Sequence, residues 1–279
     1  MSSYSSTYID LAEKRSLFYQ EWMPDKTPKA IILYVHGLGS HSSRLEHWAK
    51  KFVDIQVAFA AYDQWGHGKS YGKRGYPVHI KYMLEHLDIV IDYVRNQYST
   101  IPLILYGHSM GGAEVINYSI SHSDKIAGLI ASSPWLMLTN PPSKFMIGLA
   151  KILSSVAPGL RAPNGLKSED ISTDPDIVKK YNEDPLIHNR IAFGLFNSIC
   201  RNGERISKHL KEISCPFLLM HGTGDMITSA KANEEYIKSA GNNATLKLWD
   251  DAKHELHHEP IKDDIFNYIQ SWLKSEKLI

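Results

Sequence analysis

The chain of 279 residues is short of cysteine, of net charge and of long apolar runs, and each shortage excludes a class of protein. Cys200 and Cys215 are the only cysteines, and neither stands in a Cys-x-x-Cys spacing. They read as two buried free thiols, so no disulfide framework and no oxidising compartment are required. Lys plus Arg number 31 against 30 Asp plus Glu, with no basic run, which leaves nucleic-acid binding without support. No stretch reaches the apolar length needed to span a bilayer. The opening residues, MSSYSSTYID, have neither the basic start nor the apolar middle of a secretory signal, and a cytosolic protein is expected. Among the 14 histidines, His254-Glu-Leu-His257-His258 matches the string His-Glu-x-x-His, but it falls between the last strand and the last helix and does not read as a zinc-protease helix, so no catalytic metal is expected.

What is present is ordinary globular material, 43% hydrophobic and 22% charged, enough for a single domain over residues 1–279. Ser16 to Trp22 alternates and then meets Pro24, the pattern of an antiparallel edge strand. Ala30–Val35, Val57–Tyr62, Ile101–Tyr106, Ile126–Ala131, Pro216–Met220 and Thr245–Trp249 are short apolar runs of buried-strand type. Helical spacing appears over Ser43–Val53, Val78–Tyr98, Gly112–Ile120, Ser229–Ser239 and Ile261–Leu273. Strands apolar along their whole length, alternating with helices, predict an α/β fold with a mostly parallel central sheet covered on both faces. The interval of about 134–209 breaks the pattern. It carries Pro134, Pro141, Pro142, Pro158, Pro163, Pro175 and Pro185 among short helical pieces, shows no obvious strand, and reads as a helical cap inserted between two sheet strands. Within it, Lys144–Val156 has helical period but is apolar around most of its circumference, which calls for a partner, either the cap's own core or lipid.

Gly107-His-Ser-Met-Gly111 lies between a buried-strand run and a helical one. That order is where a sharp turn would hold a nucleophilic serine, Ser109, above the sheet, with glycines flanking it because bulk there would collide. A serine hydroxyl needs a base within reach and a group to orient that base. Asp225 follows the strand Pro216–Met220 through His221-Gly-Thr-Gly224 and is the expected acid; Asp250 and Asp251 are the fallback, and an N-cap role is the bland alternative for Asp225. His254, directly after the last strand, is the expected base, with His257 and His258 as competitors. The oxyanion of the tetrahedral intermediate would meet the backbone N–H groups of Met110 and of Leu38, the latter in His36-Gly-Leu-Gly39.

Taken together, His36-Gly-Leu-Gly-Ser-His-Ser-Ser-Arg44, Gly66-His-Gly-Lys-Ser70, Gly107-His-Ser-Met-Gly-Gly112, Tyr181-Asn-Glu-Asp-Pro-Leu186, Pro216-Phe-Leu-Leu-Met-His-Gly-Thr-Gly-Asp225 and His254-Glu-Leu-His257 resemble the monoacylglycerol lipases and their bacterial lysophospholipase-like relatives over nearly the whole chain. The resemblance implies an α/β-hydrolase fold, a cap over an acyl tunnel, no cofactor, and hydrolysis of a monoglyceride to glycerol and fatty acid. It implies the triad Ser109, Asp225 and His254, and places Arg44, Tyr181 and His257 near the glycerol end of the substrate. Two departures stand out: Ser40 occupies a position that is commonly glutamate, and Thr228 replaces a cysteine of some animal relatives. The expected partner is a small lipid ester, with peripheral membrane contact through the cap. The alternatives are a lysophospholipase or general carboxylesterase using the same triad, and a silent hydrolase fold that binds an apolar ligand.

Overall fold

The computed structural model describes residues 2–11, 15–77 and 79–279. Ten strands and eight α-helices are assigned among the described residues. The chain opens with β1 (Ser3–Leu11) and β2 (Arg15–Met23), then β3 (Ala30–Val35), α1 (Glu46–Asp54) and β4 (Val57–Tyr62). Next come α2 (Ile80–Gln97), β5 (Leu103–His108), α3 (Met110–His122) and β6 (Gly128–Ser132). After β6 the chain leaves the sheet for α4 (Lys144–Val156), β7 (Arg161–Pro163), α5 (Pro175–Glu183), β8 (Arg190–Ala192) and α6 (Phe193–His209). It returns with β9 (Phe217–Gly222), α7 (Ala230–Ile237), β10 (Ala244–Trp249) and α8 (Lys262–Ser275).

Eight strands form one sheet in the order β1-β2-β4-β3-β5-β6-β9-β10. The pairings β1 with β2 and β2 with β4 are antiparallel, and every other pairing in that sheet is parallel. Strand alternation sends side chains to two separate cores. In β3, Ile31, Leu33 and Val35 meet Leu87, Val90 and Ile91 of α2 and Val115 of α3 on one face. Ala30, Ile32 and Tyr34 meet Trp48 and Phe52 of α1 and Phe266 and Trp272 of α8 on the other. Each large side chain buried in this way contributes about 1.5–3 kcal/mol, which favours apolar residues along the bodies of the central strands, the buried polar residues His108, Ser132 and His221 standing at or near their carboxyl ends.

Three expectations need correction. The strand at Ser16–Trp22 is not at the edge, because β1 pairs along its whole length. β1 escapes a pattern-based reading because its side chains are nearly all solvated, with only Ile9 buried. The segment between β6 and β9 does contain strands: β7 and β8 make a two-stranded antiparallel ribbon of three residues each, too short to leave a periodic signal. Cys215 is buried but Cys200 is only half-buried, on α6; both are free thiols. The helix expected over Val78–Tyr98 is α2, while Val78 itself lies outside the described residues.

One buried group on α3 has no place in the apolar pattern. Glu114 is fully buried; Tyr62 O–H donates to its Oε1 at 3.2 Å, and Oε2 has no partner among the described residues. Burial pushes its carboxyl up from 4.5 to about 8, against the opposing pull of the Tyr62 hydrogen bond. The folded chain thus keeps a proton that the unfolded chain releases. The associated stability is complete below about pH 4.5 and is lost as pH rises through about 8, at roughly 1.4 kcal/mol per unit. Glu114→Gln keeps the shape and removes the titration. Thermal unfolding followed by circular dichroism should show its Tm rising by several degrees relative to the parent at pH 9 but little at pH 5; a shift independent of pH would disprove the assignment.

Candidate active site

The turn between β5 and α3 is set by close backbone approach. Ser109 sits at φ 55°, ψ −118°, a region that costs a non-glycine residue about 1–3 kcal/mol and persists only where surroundings enforce it. Its N–H donates to the Ser132 carbonyl at 3.0 Å, and its own carbonyl accepts from Ala113 N–H (3.0 Å) and Trp135 N–H (2.9 Å). A Cβ on Gly107 would run into the carbonyl of Gly111 and the side chain of Val115, and a Cβ on Gly111 would run into the carbonyls of Val35 and His36. The flanking glycines are therefore steric requirements of a helix pressed against strand ends.

Asp225 and His254 meet from the carboxyl ends of the neighbouring strands β9 and β10. Asp225 Oδ2 accepts from His254 Nδ1–H at 2.7 Å. His221 Nδ1 accepts from the Asn233 amide at 2.9 Å, so its Nε2 carries the hydrogen and donates to the same Oδ2 at 3.0 Å. The Thr228 hydroxyl lies 2.9 Å from Oδ2, and Oδ1 accepts from the N–H groups of Ile227 (2.7 Å) and Thr228 (2.9 Å). Burial pushes this carboxyl up, but His254, His221 and the hydrogen bonds outweigh it and hold it well below the usual carboxylate range. The N-cap alternative fails, since Ser229 caps α7 by accepting from Ala232 N–H. Asp250 and Asp251 are exposed. His257 and His258 are engaged elsewhere.

With Nδ1–H spent on Asp225, His254 Nε2 is left without a hydrogen-bond partner among the described residues. The His254 ring packs on the ring of His108, the residue before Ser109, with centroids 4.7 Å apart. Among the described residues the Ser109 hydroxyl has no hydrogen-bond partner; such contacts commonly tighten only when substrate arrives. Opposite the serine, the loop after β3 approaches so closely that a Cβ on Gly37 would lie 3.1 Å from the Ser109 Cβ. The backbone N–H groups of Leu38 and Met110 donate to no group among the described residues, and Met110 begins α3, at the positive end of its dipole. Ser109 and Leu38 open on a cavity of ≈ 530 Å³ walled by Trp135, Leu138, Ile191, Phe196 and Ile227.

The other three expected residues stand behind this cavity, and none lines it. Arg44 makes a fork with Glu255, its Nη2 donating to Oε2 at 2.8 Å and its Nη1 to Oε1, while its guanidinium lies 4.9 Å from the Tyr181 ring centroid. Tyr181 lines a neighbouring cavity. His257 is fully buried against Trp48 and His108, and burial, then His258 and His108, keep it neutral by lowering its pKa well below the usual value. The Ser40 hydroxyl lies 3.4 Å from Arg44 Nη1. Glu255, absent from the expected site, is the hub: His258 Nδ1 also contacts its Oε2 at 2.8 Å. Burial raises the Glu255 pKa, but Arg44 and His258 more than reverse this and keep it ionised. His221 and Asn233 were likewise unassigned, although His221 lies near the end of β9, four residues before the acid. His108, Glu255 and His257 place potential ligand atoms within 4.8 Å of one another, but Glu255 is already saturated and the adjacent Arg44 charge opposes a cation.

A mostly parallel sheet with a strained serine after β5 and an Asp–His pair at the ends of β9 and β10 defines an α/β-hydrolase. A profile of the serine aminopeptidase S33 family matches residues 26–261. Human monoglyceride lipase is 33% identical over 276 residues, covering 94% of this chain and 88% of that protein. An abhydrolase domain-containing protein of Dictyostelium discoideum is 30% identical over 266 residues, and the match covers 94% of this chain but 28% of that longer protein. The crystal structure of Paleococcus ferrophilus monoacylglycerol lipase superposes with a TM-score of 0.86 at 35% identity, over 93% of this chain and 99% of that one. The chain belongs to this hydrolase family, on the branch that holds the monoacylglycerol lipases.

The Arg44–Glu255 pair, 9% and 5% exposed, ties the loop after β3 to the loop carrying His254. Arg44→Met leaves a buried carboxylate without its main partner and should cost about 3–5 kcal/mol in urea unfolding. Adding Glu255→Gln should recover more than half of that loss; equal destabilisation by the double variant would show that the charge pairing is not the cause.

Proposed function

We propose that the protein hydrolyses monoacylglycerols to glycerol and fatty acid through an acyl-enzyme on Ser109, with Asp225 and His254 completing the triad. In this reading Ser109 Oγ attacks the ester carbonyl while His254 Nε2 takes its proton. The oxyanion that forms is met by the N–H groups of Leu38 and Met110. Collapse breaks the ester C–O bond, and His254 returns the proton to the departing glycerol oxygen. Water then attacks the acyl-enzyme, again giving a proton to His254, which passes it to Ser109 as the fatty acid leaves. Asp225, held ionised by five donor contacts, stabilises the imidazolium and fixes the tautomer. The observation that carries the reading is the 2.7 Å Asp225–His254 hydrogen bond beside a strained serine that opens on an apolar cavity. The names of the human and Paleococcus relatives support monoacylglycerol as the ester.

The segment between β6 and β9 supplies Leu138, Ile191 and Phe196 to that cavity and acts as its cap. Arg44 and Glu255 then serve as positioning residues that hold the His254 loop, with Tyr181 and His257 packed against them at the polar end. No helix among the described residues is long and apolar enough to cross a membrane. On α4, however, Phe145 (78% exposed), Ile152 (63%) and Val156 (74%) face solvent, and this apolar face is the proposed peripheral contact with lipid.

A fluorophosphonate probe should label the parent protein and not Ser109→Ala, and Ser109→Ala should lower kcat by about 10⁶-fold and Asp225→Asn by about 10⁴-fold. Hydrolysis of 1- and 2-monoacylglycerols should exceed that of lysophosphatidylcholine; the reverse order would overturn the substrate assignment. Phe145→Asp combined with Ile152→Asp should weaken co-sedimentation with lipid vesicles while leaving hydrolysis of a short soluble ester unchanged, and unaltered vesicle binding would remove α4 from the lipid contact.

A further inference from the structure

A second cavity, of ≈ 610 Å³, adjoins the serine cavity and shares Asn164 and Leu166 with it, yet its chemistry is opposite. The ribbon of β7 and β8 separates the two. Arg161 pairs with Ala192 and Pro163 with Arg190, so Arg161 and Arg190 share one face of the ribbon, and the intervening Ile191 points the other way, into the wall of the serine cavity. Arg74 joins them from the loop before α2, whose backbone is fastened to the ribbon: Ala192 N–H donates to the Gly75 carbonyl at 3.0 Å, and Arg161 Nη1 donates to the Arg74 carbonyl at 2.9 Å. Gly75 has φ +85°, and a Cβ there would lie 2.7 Å from the Arg190 backbone, so the approach is a built feature.

None of the three guanidinium groups is paired with a carboxylate among the described residues. Asp184 is the one acid lining the cavity, and it is already held by His41 Nε2 at 2.8 Å and Leu186 N–H at 2.9 Å. Two buried donors in the lining also lack partners. Asn164 Oδ1 accepts from Leu166 N–H, which leaves its Nδ2 without an acceptor. His188 Nδ1 accepts from Arg190 N–H at 3.2 Å, so Nε2 carries the hydrogen, and it too is unmatched. These two donors stand in the same lining as the three guanidinium groups, of which Arg161 and Arg190 are exposed and Arg74 is half-buried. Leu160, half exposed, immediately precedes Arg161 and follows the apolar face of α4, so the cavity opens beside the surface assigned above to lipid.

We propose that this cavity binds a phosphate group, with the forked guanidinium donors of Arg74, Arg161 and Arg190 around it and Asn164 and His188 completing its acceptor demand. The phosphate belongs either to the headgroup of an anionic lipid or to a small soluble phosphate. The inference does not depend on the substrate of the serine cavity, because its readout is binding.

The test uses the full chain in two arms. Isothermal titration with inorganic phosphate, against chloride at matched ionic strength, addresses the soluble source. Co-sedimentation with phosphatidylglycerol-containing vesicles, against pure phosphatidylcholine vesicles, addresses the headgroup source. Arg161→Gln with Arg190→Gln should weaken whichever binding the parent shows by about tenfold or more, with an unchanged circular dichroism spectrum and unchanged hydrolysis of a short soluble ester. Arg74→Gln provides a second, independent variant should the double one fail to fold. Phosphate binding that the variants lose assigns the soluble source, and vesicle binding alone that they lose assigns the headgroup. A parent that prefers neither phosphate over chloride nor anionic over neutral vesicles, or variants that bind as the parent does, would overturn the proposal.

Discussion

The left-handed backbone at Ser109 is the constraint on which the site depends. A non-glycine residue holds that conformation only because β5 and α3 are locked on either side of it, and they can be locked so tightly only because Gly107 and Gly111 leave room for each other and for the carbonyls of Val35 and His36. The same closeness brings the loop after β3 onto the serine and leaves the N–H groups of Leu38 and Met110 without partners among the described residues. A helix start packed onto strand ends thus sets the proposed nucleophile and the proposed oxyanion donors in a single steric arrangement.

Around that turn, the charges are held by networks, each anchored in more than one element. Asp225 is kept ionised by donors from its own loop, from β9 and from the loop after β10, so the His254 ring has one tautomer and one orientation available. Behind it, Glu255 receives Arg44 from the loop after β3 and His258 from the loop before α8. Two buried carboxylates, each saturated with donors, brace the short loop that carries the proposed base. Burial alone would have neutralised both; the pairing keeps them charged, and this makes the loop positions mutually dependent.

Most of the sheet was legible because its signal is local. Continuous apolar runs such as Ala30–Val35 and Val57–Tyr62 have no alternative to a strand covered on both faces, and the helices between them repeat at helical spacing. The polar strand β1 and the three-residue strands β7 and β8 were not legible, since their pairing is supplied by distant partners. The same division runs through the site. Ser109, with its flanking glycines, and the loop acid Asp225 announce themselves by turn chemistry. Glu255 does not, because nothing near it in sequence reveals that Arg44, more than two hundred residues earlier, is its counterion.

The sequence by itself determined which residues could act: a serine between obligatory glycines, and an acid and a histidine after successive strands. Only the tertiary structure decided how they are held. It assigned Arg44 to Glu255, Asn233 to His221, and Ile191 and Arg190 to opposite faces of one ribbon, hence to two cavities of opposite polarity. The physical reason is range: turn sterics and hydrophobic periodicity act over a few residues, whereas burial, counterion choice and the fate of an unmatched donor depend on what the folded chain brings within about 4 Å.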